Sequence, residues 1–185
     1  MGIRNIWSLT VDEALVISEI KQKLGRYYEV FLPANSQLKD IDLILMNMEE
    51  IKPITLQVKG SRTWEVTDKR KQKYGDGSST WIQISRKSIW EPSYRIDFFI
   101  IVLHNLVDTT YKGTTKKQMK INYLIIPANE LKKRICEKKK SGKSDIYNFY
   151  FWIDDKEKRV FDYRDKVEIY FSDCLDNWDI LKQVA

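Results

Sequence analysis

Two runs decide how this chain is read: Ile41-Asp42-Leu43-Ile44-Leu45-Met46 and, after a short connection, Ile54-Thr55-Leu56-Gln57-Val58-Lys59. Each has the length and composition of a β-strand, and Asn47 to Pro53 is short and polar enough to close a hairpin. Side chains alternate along a strand, so Gln57 and Lys59 share one face while Leu56 and Val58 take the other. Asp42 shares its face with Ile44 and Met46. A turn near Glu49-Glu50 brings Asp42 opposite the Gln57–Lys59 region, and a one-residue slip would undo that contact.

Upstream, Thr10-Val11-Asp12-Glu13 has the pattern of a capping box, predicting a helix from Val11 to about Leu24 that stops at Gly25. Ile17, Ile20 and Leu24 form its apolar stripe, flanked by Val16, and Glu13 falls in line with it. A carboxylate on a buried stripe is costly without a partner. The capping box supplies one explanation for Glu13, and a bound cation supplies another.

Outward from this core, Tyr27 to Leu32 reads as a strand ending at Pro33, followed by a polar loop through Ala34-Asn35-Ser36-Gln37. Thr80 to Ile84 is a further strand after the turn signal Gly75-Asp76-Gly77-Ser78. Phe98 to Leu103 (FFIIVL) looks like a strand covered on both faces, and Ile121 to Ile126 repeats its character. A helix is expected from about Asn129 to Lys138, its basic end suiting the negative helix C-terminus. Asn148 to Ile153 and Arg159 to Tyr163 flank Asp154-Asp155-Lys156-Glu157 as a hairpin, and a last helical turn or two is expected over Asn177 to Leu181. The expected organisation is one α/β domain, with a core over about residues 8–140 and a C-terminal hairpin and helical extension over about 145–185.

The chemistry of the hairpin points to a hard cation. Mg²⁺ or Mn²⁺ takes oxygen ligands, and Mg²⁺ keeps several waters. Asp42 offers a carboxylate, Gln57 an amide oxygen, Val58 a main-chain carbonyl, and Glu13 a ligand directly or through water. Lys59 suits stabilisation of developing negative charge or orientation of an attacking water.

A helix carrying Glu13, a strand carrying Asp42 and a strand reading Gln57-Val58-Lys59 together resemble the PD-(D/E)XK, or restriction-endonuclease-like, nucleases. The text IDLIL…ITLQVKGSR is similar to the Gln-containing branch, which includes Mrr-like enzymes and uncharacterised prokaryotic domains. The resemblance spans Glu13 to roughly Leu131. It implies a restriction-endonuclease-like core with a central mixed sheet flanked by helices, and metal-dependent hydrolysis of phosphodiester bonds, in DNA, in restriction or defence. Most members have an acid where this chain has Gln57, so Glu13 and Asp42 carry the charge, with Glu49 or Glu50 as further candidates. A non-catalytic nucleic-acid-binding or assembly module is the rival reading.

Composition agrees with a polyanionic partner. The formal net charge is +6 and the pI about 9.1, and clustered Lys and Arg release counterions from a phosphate backbone. Arg62, Lys69, Arg70, Lys71 and Lys73 follow the metal strand directly and are the candidate phosphate contacts, within a stretch that also holds Trp64, Trp81, Arg86, Lys87, Trp90, Tyr94 and Arg95. A solvated surface explains the same charges. Lys132, Lys133, Arg134, Lys138, Lys139 and Lys140 either extend the basic surface or form a solvated helix face. Trp81 and Trp90 are expected to pack on the core, and His104 to pack at a strand end. Two cysteines and one histidine make no zinc framework and no Ser-His or Cys-His nucleophile. Neither Met1 to Leu9 nor any other run has the length of a secretion signal or membrane span, so a cytoplasmic location with reduced thiols is expected. A homodimer is one assembly the sequence leaves open, with the aromatic run Phe149-Tyr150-Phe151-Trp152 as its candidate contact.

Overall fold

A computed structural model describes residues 10–34, 40–92, 95–136, 138 and 145–182. Met1–Leu9, Asn35-Ser36-Gln37, Tyr94, Lys139 and Lys140, which entered the sequence reading, lie outside the described residues.

The chain is mixed α/β. In order it forms α1 (Val11–Leu24), β1 (Tyr28–Phe31), β2 (Leu43–Asn47), β3 (Lys52–Gly60), β4 (Arg62–Trp64) and α2 (Asp68–Tyr74). There follow β5 (Ser78–Ser85), α3 (Arg86–Trp90), β6 (Phe98–Tyr111), β7 (Thr114–Pro127), α4 (Ala128–Ile135), β8 (Ile146–Asp154), β9 (Arg159–Asp162) and β10 (Ile169–Tyr170). Two 3-10 turns, Ser172–Cys174 and Trp178–Leu181, follow β10. At the start of α1, the Thr10 side chain accepts from the Glu13 amide while the Glu13 carboxylate accepts from the Thr10 amide, so two otherwise orphaned donors are satisfied.

The strands make two five-stranded sheets, ordered β1-β2-β3-β6-β7 and β10-β9-β8-β5-β4. In the first, β1, β2 and β3 are antiparallel neighbours, β6 lies parallel to β3, and β7 returns antiparallel to β6. Alternation on this sheet builds two cores. Leu43, Leu45, Leu56, Val58, Phe98 and Ile100 pack with Val16, Ile20 and Leu24 of α1 and with Trp178 and Leu181. On the opposite face Phe99, Ile101, Leu103, Leu124 and Ile126 meet Ile82, Ile84, Phe149, Phe151 and Ile153 of the second sheet, with Leu131 and Ile135 of α4 joining them. The run FFIIVL is thus covered from both sides, which is why it is continuously apolar.

Several expectations need correction. The hairpin of β8 and β9 is no C-terminal extension: β8 is the middle strand of the second sheet, paired with β5 from Ser78↔Ile153 to Ser85↔Ile146. Pairing between segments some seventy residues apart leaves no local signal, so sequence pattern alone reads the run as an appendage. Phe149, Phe151 and Trp152 are fully buried and unavailable as an assembly surface. The strands FFIIVL and Ile121–Ile126 continue into a hairpin of two 14-residue strands closed at Lys112-Gly113, both with positive φ. The helix α4 ends at Ile135, and Lys138 is neither on it nor solvated. Its ammonium is buried against Asp162, with Asp165 at 3.1 Å.

Candidate active site

β2 and β3 pair from Asn47↔Lys52 to Leu43↔Leu56. Beyond that pair the strands part, and Asp42 stands at the fork. Its amide donates to the Leu56 carbonyl (2.9 Å), and its Oδ2 accepts the Val58 amide (2.8 Å). The carboxylate thereby takes the place of the next rung of the ladder. The register puts Asp42 beside Gln57, on the face that Lys59 shares, and Lys59 Nζ lies 3.8 Å from Asp42 Oδ2. The N–H and C=O of a strand residue point to the same edge, so the Val58 carbonyl is directed toward the fork as well.

Gln57 is 1% exposed, and its Oε1 is buried with no hydrogen-bond partner among the described residues. A buried acceptor left unmatched costs about 1–3 kcal/mol, so this oxygen is suited to a ligand.

The structure brings Asp42, Gln57, Lys59 and the Val58 main chain together. Glu13 is placed differently. It is buried in line with Val16, Ile20 and Leu24, on the α1 side of the sheet where Leu56 and Val58 point. Gln57 and Lys59 take the other face. Its Oε2 is held by the Thr10 amide at 2.9 Å, which accounts for a buried carboxylate without a cation. Glu49 and Glu50 lie in the turn at the far end of β2, about 20 Å from Asp42 at 3.3 Å per residue, and are not part of the site.

Sequence reading missed one pair. His104 has a partner: its Nε2 lies 2.7 Å from Asp12 Oδ1, across 92 positions. The His104 amide donates to Ser61 Oγ (2.9 Å). A Cβ on Gly60 would fall 1.9 Å from Asp12 Oδ2, so only glycine lets the carboxylate sit over the end of β3. The available signal was that glycine, since a Gly in a strand marks a close approach.

The expected phosphate contacts divide. α2 carries Lys69, Arg70, Lys71 and Lys73 and packs through Tyr74 on Trp152, Phe161 and Tyr163. These rings lie on the outer face of the second sheet, the face turned away from the first, so α2 does not line the Asp42–Lys59 fork. Lys71 reaches Asp108 at 3.7 Å, and Lys73 lies over the Tyr74 ring. Arg62, on the same outer face, has its guanidinium 5.3 Å from the Trp81 ring. Trp81 is partly exposed rather than core, and Trp90 donates its indole N–H to the Tyr147 hydroxyl at 3.0 Å.

As a cation site the fork offers hard oxygens: Asp42 carboxylate, Gln57 Oε1 and the Val58 carbonyl. Among the described residues no three His, Cys, Asp or Glu side chains converge on one point. A single carboxylate suits Mg²⁺ where substrate phosphate and water complete the shell, and the orphaned Gln57 oxygen fits that chemistry. No helix among the described residues is long and apolar enough to cross a membrane. Comparison with protein-family models, with curated proteins and with solved structures found no match to this chain.

Proposed function

We propose that the chain is a Mg²⁺- or Mn²⁺-dependent phosphodiester hydrolase acting on DNA in the cytoplasm, built on a restriction-endonuclease-like core. The observation that carries this reading is the buried, unmatched Gln57 Oε1 beside the Asp42 carboxylate and the Lys59 ammonium. The order of parts supports it: α1, then antiparallel β2 and β3 bearing Asp42 and Gln57-Val58-Lys59, with β6 parallel beside them.

Asp42, Gln57 and the Val58 carbonyl would hold the ion. When bound, it supplies polarisation of a phosphodiester and a more acidic water. Lys59, anchored near Asp42, presents a positive charge toward the oxygens on which negative charge develops and orients the water for in-line attack. Asp42 is fixed by the Val58 amide, so it needs little reorganisation. Restriction or defence against foreign DNA is the setting the resemblance suggests.

The test is nicking of supercoiled plasmid with Mg²⁺ or Mn²⁺. Asp42→Ala and Lys59→Ala are each expected to slow nicking about a hundredfold or more. Equal nicking by both variants and the parent refutes the site. The neutral side chain at Gln57 favours a second reading, a binding module without catalysis. That reading predicts salt-sensitive DNA binding with no calorimetric signal for either cation.

A further inference from the structure

The outer face of the second sheet carries a feature separate from the fork. Trp81↔Tyr150 and Gln83↔Asn148 are cross-strand pairs of β5 and β8, so two rings and two amides form adjoining tiles. With Arg70 they line an open groove of about 500 Å³. Three guanidinium groups border the tiles: Arg62 lies 5.3 Å from the Trp81 ring, Arg164 5.6 Å from Tyr150 and Arg70 5.6 Å from Tyr163. Among the described residues no carboxylate lines the groove. Asp162, next to Tyr163 in sequence, is 1% exposed and buried against Lys138, so its charge is withdrawn from this face.

Two further details point to a ligand. Among the described residues Arg164 Nη1 is buried and has no acceptor, a surplus charged donor beside the Tyr150 ring. Gln83 Nε2 donates to Asn148 Oδ1 at 2.9 Å. That bond leaves the Gln83 carbonyl and the Asn148 amino group for an outside partner, one acceptor and one donor side by side.

We infer that this groove binds single-stranded DNA. Unpaired bases stack on the ring and guanidinium surfaces, the amide pair meets a base edge, and Arg62, Arg70 and Arg164 meet phosphates. Stacking requires an exposed base face, which a duplex does not offer. The choice of DNA over RNA rests on the proposed nuclease reading; the groove itself does not depend on it.

Fluorescence anisotropy of a fluorescein-labelled twelve-residue oligo-dT, in EDTA, tests the inference. The Arg62→Gln/Arg164→Gln double variant is expected to bind about thirtyfold more weakly. Its dependence of log affinity on log salt should flatten by about 1.4, two phosphates at about 0.7 each. Gln83→Glu, at an exposed position, is expected to weaken binding about tenfold by placing a carboxylate in the groove. Lys23→Gln, on the exposed side of α1, should leave it unchanged. Unchanged affinity in both groove variants, or equal binding of a duplex of the same length, overturns the inference. Tighter binding of oligo-rU overturns the assignment to DNA. Because EDTA silences metal-dependent cleavage, failure here leaves the nicking test of Asp42 and Lys59 standing, and the reverse holds.

Discussion

Replacing Gln57 by Leu removes the polar atom on which the active-site reading turns, at a position 1% exposed. The buried Oε1 has no partner among the described residues, and such an orphan costs about 1–3 kcal/mol. Leu is close to Gln in volume, and the neighbour on the β6 side is Phe99, so the methyl groups gain an apolar contact there. Without metal, Gln57→Leu is therefore expected to stabilise the fold by about 1 kcal/mol, raising Tm by about 2–4 °C for a chain of this size. With Mg²⁺ or Mn²⁺ the order should reverse in kind. A ligand bound only by the folded state, at ten times its dissociation constant, stabilises the parent by about 1.4 kcal/mol, and the variant gains less. Thermal unfolding of both proteins, in EDTA and across a Mn²⁺ titration, gives all four values. If Gln57→Leu is less stable than the parent in EDTA, the oxygen is not an orphan. If both proteins gain equally from the metal, Gln57 is not a ligand.

Gly60→Ala is expected to displace the Asp12 carboxylate, since its Cβ would lie 1.9 Å from Oδ2. Losing the Asp12–His104 bond costs about 1 kcal/mol, and a double-mutant cycle with Asp12→Ala should show that cost largely vanish. Cys136 is exposed, whereas Cys174 is buried and its thiol is pushed up to about 12 by desolvation. A thiol reagent at pH 8 should modify one cysteine quickly and the second only in denaturant; two fast equivalents would contradict the packing. Hydrogen bonding to Arg134 holds the Asp173 carboxyl below the usual range. The folded-state value is depressed, so its contribution is present above the unfolded value of about 3.9 and fades as pH falls through the folded one. Asp173→Asn should therefore narrow its stability gap to the parent below about pH 4, by a small amount because the carboxylate is largely exposed. A gap that widens in acid would refute the pairing.

Local chemistry made much of the first sheet legible. The capping box Thr10–Glu13, the stop at Gly25 and the alternation of Leu43, Leu45, Leu56 and Val58 are interactions over a few residues, and each is written in the sequence where it acts. Asp42 beside Gln57 and Lys59 followed from that alternation plus a short turn. Tertiary structure alone decided which surface each group faces. Glu13 shares the helix stripe that packs on Val58, yet a strand's other face belongs to Gln57 and Lys59, and no periodicity says which face a helix will cover. Long-range pairing decided the rest. β8 became the centre of a sheet by meeting β5, Lys138 left the surface to meet Asp162, and His104 met Asp12 across 92 positions. Sequence periodicity reports which side chains seek burial or water; partners brought together by chain closure are fixed only when the whole core is packed.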